Sequence, residues 1–266
     1  MGANRPIGVF DSGVGGLTVA KAIKDLLPNE NILYFGDSKH LPYGDKSKTT
    51  IVEYCENITR FLIEEDCKLI VVACNTASAN ALREIKRIAA QKKINVIDVV
   101  NPVAEHIAYS FHQKTGVIAT KATVKTGVYR KKIKRLNNQI TVRELATPLL
   151  VPVIEESLTN TKVSKAVIEN YLNSTKFQEL DSLILGCTHY PLIEKEVDQY
   201  YGGKVKIVNS PQIVAHKVKN YLQLKNLLNP DGGNYTFYVS DVTKNFSRLA
   251  KKFFGKDISL KLKTLH

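Results

Sequence analysis

The sequence predicts an α/β protein made of two doubly wound α/β domains. Three observations predict this. Short apolar runs alternate with helix-period patterns along nearly the whole chain, the mark of parallel sheets with helical crossovers. Two Pro-bearing junctions, at Asn101-Pro102 and at Asn209-Ser210-Pro211, interrupt that alternation. They set one domain at 1–98 plus 211–266 and the other at 99–210, with the chain crossing over and back. Finally, two apolar strands end alike: 69–78 reads LIVVACNTAS and 182–190 reads SLILGCTHY. Each delivers a cysteine with small polar neighbours to a strand's carboxyl end, where open α/β sheets bind ligands.

In chain order, 7–10 is a strand, and Leu17, Ala20, Ile23 and Leu27 recur at helical spacing before Pro28. A strand at 32–35 precedes a polar loop and a helix with Ile51, Tyr54, Ile58, Phe61 and Leu62 on one face. The strand at 69–73 leads to a helix lined by Ala81, Leu82, Ile85 and Ile88, then a fourth strand spans 94–100. The second unit reads strand 116–120, helix, strand 141–145, helices around 151–172, strand 182–185, helix, strand 205–208. Beyond the second junction come a helix at 213–224, a turn at Asp231-Gly232-Gly233, and a strand at 235–239. A helix around 242–254 and a strand near 258–262 finish the pattern.

With 266 residues, 44% hydrophobic and 24% charged, the chain can bury a sizeable core as an ordinary soluble protein. No signal-peptide pattern opens it, no apolar run approaches a membrane span, and its four cysteines lack disulfide-framework spacing. A cytoplasmic setting with reduced thiols is expected, with no membrane partner. The net charge of +13 is unevenly placed: residues 113–140 hold eight Lys/Arg and no acid. A nucleic-acid partner is weighed against a basic surface that draws in anionic metabolites; the second is preferred because no nucleic-acid module signature is present.

Several motifs could carry chemistry. Asp11-Ser12-Gly13-Val14-Gly15-Gly16 follows the first strand and opens a helix, which suits an anion held by backbone N–H groups. It lacks both nucleotide-loop spacings, so a carboxylate is the better ligand, or Asp11 and Ser12 are only a helix cap. Pro42-Tyr43-Gly44 leaves the second strand, either as a plain turn or as a ligand contact; His40 is read as a loop histidine. Cys74 and Cys187 are open to four readings: buried small hydrophobes, a disulfide, zinc ligands together with His189, or reactive thiols. For reactive thiols, a helix N-terminus would lower the thiol pKa, and Asp11 and His189 are available as proton partners. Asn75, Thr76 and Thr188 offer donors beside the thiols, with Thr76 or Ser78 as a possible cap. Cys55 and Cys67 read as structural, and Glu155-Glu156 alone is a weak signal.

FDSGVGG, PYG, ACNTAS, VPVIEE and GCTHYP, in that order over nearly the whole chain, resemble the glutamate racemase family of the aspartate/glutamate racemase superfamily. The resemblance implies a cofactor-independent enzyme that interconverts L- and D-glutamate and supplies D-glutamate for peptidoglycan. It also implies an active site between the two domains, and a homodimer is expected with it. Cys74 and Cys187 match the catalytic cysteines, Asp11 and His189 their assisting groups, and Glu155 a nearby carboxylate. Ser12, Tyr43, Gly44, Asn75, Thr76, Thr188 and Thr120 match substrate-binding positions, as do Asp11 and His189, and Thr123 completes a Thr-x-x-Thr. Ala119 and Ala122 stand where the family often has Gly, and Thr147-Pro148 where it often has Cys-Pro. No metal is implied. Two thiols on opposite faces of a carbon suit racemisation, since one abstracts the Cα proton while the other donates. Aspartate is the neighbouring substrate, and a basic binding protein on the same fold is the rival of another class.

Overall fold

The computed structural model describes residues 2–255 and 258–265. The first unit opens β1 (Ile7–Asp11), α1 (Leu17–Leu26), β2 (Ile32–Gly36), α2 (Lys48–Glu64), β3 (Leu69–Val72). It continues with α3 (Asn75–Asn80), α4 (Leu82–Ala90) and β4 (Asn95–Asp98). α5 (Val100–Ala108) leads to β5 (Lys114–Ala119), α6 (Lys121–Thr126), α7 (Val128–Leu136) and β6 (Thr141–Ala146). Then come α8 (Leu150–Glu155), α9 (Lys162–Leu172), β7 (Ser182–Gly186), α10 (Glu194–Tyr201) and β8 (Lys206–Val208). α11 (Ser210–Leu224), β9 (Tyr235–Val239), α12 (Lys244–Phe254) and β10 (Leu260–Leu262) complete the described chain.

Two sheets result, ordered β10-β9-β2-β1-β3-β4 and β6-β5-β7-β8, with every pairing parallel. The central strands β1, β2, β3 and β7 are buried at every residue, as expected where helices cover both faces of a parallel sheet. Alternation sorts their side chains. Val9, Tyr34 and Val71 belong to the core beneath α1, while Phe10, Phe35 and Val72 pack toward α2 and α4. The former core runs on through Val103 and Val214 into Val117, Leu183 and Ile184 of the smaller sheet. Among the described residues, no helix is long and apolar enough to cross a membrane.

Both Pro junctions prove to be helix starts. Pro102 lies in the first turn of α5 and Pro211 in that of α11, where an N–H would have no intrahelical acceptor to lose. The strand expected over 94–100 therefore stops at Asp98, whose Oδ1 accepts from Val100 N and Asn101 N, both at 2.9 Å. The helix expected after β3 is broken at Ala81 into α3 and α4.

One buried ion pair ties the N-terminal segment to the loops below β1. Lys68 and Glu30, 0% and 1% exposed at their side chains, meet at 2.6 Å. Lys68 Nζ also donates to the carbonyls of Leu227, at 2.8 Å, and Ala3; Glu30 Oε1 accepts from Asn229 N at 2.8 Å. Removing one partner strands the other charge in the core. Lys68→Met should lower unfolding free energy by about 3–5 kcal/mol in denaturant titration, and adding Glu30→Gln should restore part of it. A double variant less stable than Lys68→Met would contradict this.

Candidate active site

Cys74 follows β3 and Cys187 follows β7, so the two thiols arrive from strand ends in different sheets. Both line one cavity of about 260 Å³. Ser12, Tyr43, Gly44, Asn75 and Thr76 form part of its wall from the larger-sheet side. Thr120, Glu155, Thr188 and His189 face them from the smaller-sheet side. The close approach of the two sides depends on Gly15, where a Cβ would fall on Thr188 Oγ1 and His189 Nδ1.

The surroundings of the thiols differ. Cys74 Sγ caps α3 by accepting from Ala77 N at 3.4 Å, and its S–H can donate to Ser12 Oγ at 3.6 Å. The helix N-terminus was expected to make this thiol more acidic. Instead, burial and the negative charge of Asp11 push Cys74 up to about 12, outweighing the Ala77 and Ser12 hydrogen bonds. At neutral pH Cys74 is a thiol.

Cys187 Sγ lies 3.8 Å from His189 Nδ1, and His189 Nε2 lies 2.9 Å from Glu155 Oε1. Burial by itself would depress the imidazole, but the hydrogen bonds and negative charge of Cys187 and Glu155 hold it up to about 10. His189 is thus a buried imidazolium between the Cys187 sulfur and the Glu155 carboxyl group, with Phe253 edge-on at 5.6 Å. Glu155, a weak signal in sequence, acquires its meaning here.

Asp11 is fully buried and lies behind the cavity wall, not on it. Its Oδ2 accepts from Gly13 N at 3.0 Å and its Oδ1 from Thr188 Oγ1 at 3.3 Å. Asp11 and Ser12 do not cap α1, whose N-cap is Gly16 without a side-chain bond. Tyr43 turns its hydroxyl away from the cavity to donate to Asp37 Oδ2 at 2.6 Å. Asp37 also meets His40 Nδ1 and Ser240 Oγ, each at 2.8 Å, so His40 helps brace the Pro42-Tyr43-Gly44 loop from outside.

Thr76 Oγ1 lies 2.9 Å from Thr120 Oγ1, which in turn donates to Thr123 Oγ1 at 3.0 Å. Thr120 lines the cavity, whereas Thr123 sits behind it. Cys55 and Cys67 are buried away from the cavity, and burial pushes both thiols up. Among the described residues, no three His, Cys, Asp or Glu side chains converge as metal ligands would.

Sequence reading missed several lining residues. Thr147 and Pro148, noted only as standing where the family often has Cys-Pro, border the cavity; Thr147 Oγ1 lies 2.8 Å from Tyr190 OH. Val151 and Pro152 supply apolar wall from the VPVIEE segment, which was read for its carboxylates alone. Lys121, beside Thr120, had no signal except its place in a motif.

The raised imidazole has a consequence for stability. A pKa of about 10 in the fold against 6.5 unfolded means His189 contributes fully below pH 6.5 and loses that contribution as pH rises through about 10. The Tm advantage of the native chain over His189→Asn should therefore be largest near pH 6 and shrink toward pH 10 in thermal melts. An advantage independent of pH would count against the charged bridge.

Residues 15–218 match the family model of Asp/Glu/hydantoin racemases. The chain is 41% identical over 254 residues to glutamate racemase of Geobacter metallireducens, covering 94% of this chain and 93% of that protein. It is 42% identical over 257 residues to glutamate racemase 2 of Caldanaerobacter subterraneus subsp. tengcongensis, covering 96% and 95%. Its fold superposes on the crystal structure of Francisella tularensis glutamate racemase in complex with D-glutamate with a TM-score of 0.92. That pair is 36% identical, with 99% and 98% of the two chains covered. On these grounds the chain belongs to the glutamate racemase family, within the Asp/Glu/hydantoin racemases.

Proposed function

We propose that this protein interconverts L- and D-glutamate by a two-base reaction, with Cys187 and Cys74 on opposite faces of the substrate. The observation that carries this is the convergence of two thiols, from two sheets, on one cavity. The site lies between two α/β units, 1–98 with 211–266 and 99–210. Supporting this division, the strands of the larger sheet come from both ends of the chain and enclose the smaller sheet in sequence.

Cys187 as thiolate, paired with the His189 imidazolium, takes the Cα proton of L-glutamate. Cys74 as thiol gives its proton to the opposite face. The product is D-glutamate, with Cys187 now a thiol and Cys74 a thiolate; D-glutamate is converted by the reverse transfers. Negative charge developing on the substrate is stabilised by donors around its α-carboxylate, for which Asn75, Thr76 and Thr188 are available on the cavity wall. Backbone N–H groups near Tyr43 and Gly44 serve the side-chain carboxylate. Ser12 and Thr120 complete the polar wall, and Asp11 acts on Cys74 through its charge. The D-glutamate produced would feed peptidoglycan synthesis.

Circular dichroism of either glutamate enantiomer incubated with the chelator-treated protein should decay to the racemic signal. Aspartate should turn over far more slowly, because a shorter substrate leaves donors unpaired. Comparable rates on aspartate would reassign the substrate.

The two-base scheme makes a separate prediction. In D₂O, early turnover should place deuterium in the product enantiomer and little in recovered substrate. Cys74→Ser should lower racemisation in both directions by about 10³-fold. The same variant should still eliminate a leaving group from an L-type β-substituted glutamate, and Cys187→Ser from the D-type. Loss of both eliminations in either folded variant would reject two independent one-sided bases.

A further inference from the structure

Tyr129 is a fully buried tyrosine that the reaction above does not use. It lies on α7, in the segment noted in sequence only for its basic charge. Its hydroxyl donates to Asn75 Oδ1 at 2.6 Å. The bond crosses between the two sheets: α7 follows β5 of the smaller sheet, and Asn75 opens α3 behind β3 of the larger one.

The chemistry of this bond is directional. An asparagine amide presents an acceptor on one side and a donor on the other, and only its partners decide which way it points. A phenol could also accept from Nδ2, but its own proton would then need another acceptor. Among the described residues the Tyr129 hydroxyl has no other hydrogen-bond partner, so it donates and Oδ1 accepts. Asn75 Nδ2 makes no hydrogen bond among the described residues, and Asn75 lines the cavity. Burial and the nearby charge of Asp98 raise the phenol pKa, so Tyr129 keeps its proton at any working pH.

We propose that Tyr129 is a positioning residue: its hydroxyl fixes the Asn75 amide so that Nδ2, a donor, faces the substrate carboxylate. This rests on the reading of the cavity as a glutamate site. The connection between sheets is double. Thr120, the N-cap of α6, meets Thr76, and after the left-handed turn at Gly127, with φ 62°, α7 brings Tyr129 to Asn75. One crossover segment of the smaller sheet therefore holds two consecutive residues of α3.

The test is a double-mutant cycle of Tyr129→Phe and Asn75→Ala, with kcat and KM measured for both enantiomers. Tyr129→Phe should lower kcat/KM about tenfold, the worth of one ordered hydrogen bond, with the loss mainly in KM. A purely structural role would reduce the active fraction and so lower kcat at unchanged KM. In the Asn75→Ala background, Tyr129→Phe should cost little more. Equal loss in both backgrounds, or no loss in the single variant, overturns the proposal. The native protein gives an independent reading: the Asn75 side-chain amide protons should shift in NMR spectra when D-glutamate is added, and their insensitivity would also overturn it. If the native protein racemises glutamate while Tyr129→Phe is unaffected, this inference alone fails. If the native protein does not racemise glutamate, the functional reading fails first.

Discussion

A buried imidazolium holds this site together. His189 is enclosed by protein, where a charge is costly, and it keeps that charge because Cys187 and Glu155 lie on its two ring nitrogens. The bridge joins β7 to α8 and sets the electrostatic character of one half of the cavity. Phe253 of α12 backs the ring, so an element returning to the larger sheet helps orient a side chain of the smaller one.

The other half of the cavity obeys the opposite logic. Cys74 has a helix N-terminus and a serine hydroxyl beside it, both of which favour a thiolate. Burial and Asp11 oppose them and prevail. Two chemically identical side chains thereby stand in different electrostatic surroundings. The asymmetry comes from neighbours: a cation next to Cys187 and an anion near Cys74.

Contacts between the sheets maintain this geometry. Asp11 accepts from Thr188, Thr76 meets Thr120, and Tyr129 reaches Asn75. Gly15 removes the Cβ that would keep Thr188 and His189 away. These contacts are short and polar, so a change at one can alter the placement of groups on the opposite wall. Outside the cavity, Asp37 gathers Tyr43, His40 and Ser240 and steadies the loop that carries Gly44.

The sequence alone determined the α/β class, the alternation of its elements and the two strand-end cysteines, because these follow from local periodicity and chain order. It placed Cys74, Cys187, Asn75, Thr76 and Thr188 at strand ends, where the cavity lies. It read the prolines at 102 and 211 only as junctions and did not show that each sits in the first turn of a helix, where its missing N–H costs no intrahelical hydrogen bond. It also gave Cys74 the wrong tendency, because a helix N-terminus is visible locally, whereas burial and the approach of Asp11 are not. The partnership of Glu155 with His189, the retreat of Asp11 behind the wall, the lining by Thr147 and Pro148 and the grip of Tyr129 on Asn75 were decided only by tertiary structure. Each is a contact between residues far apart in the chain, and a distance between two side chains is set by how sheets and helices pack, which no local pattern records.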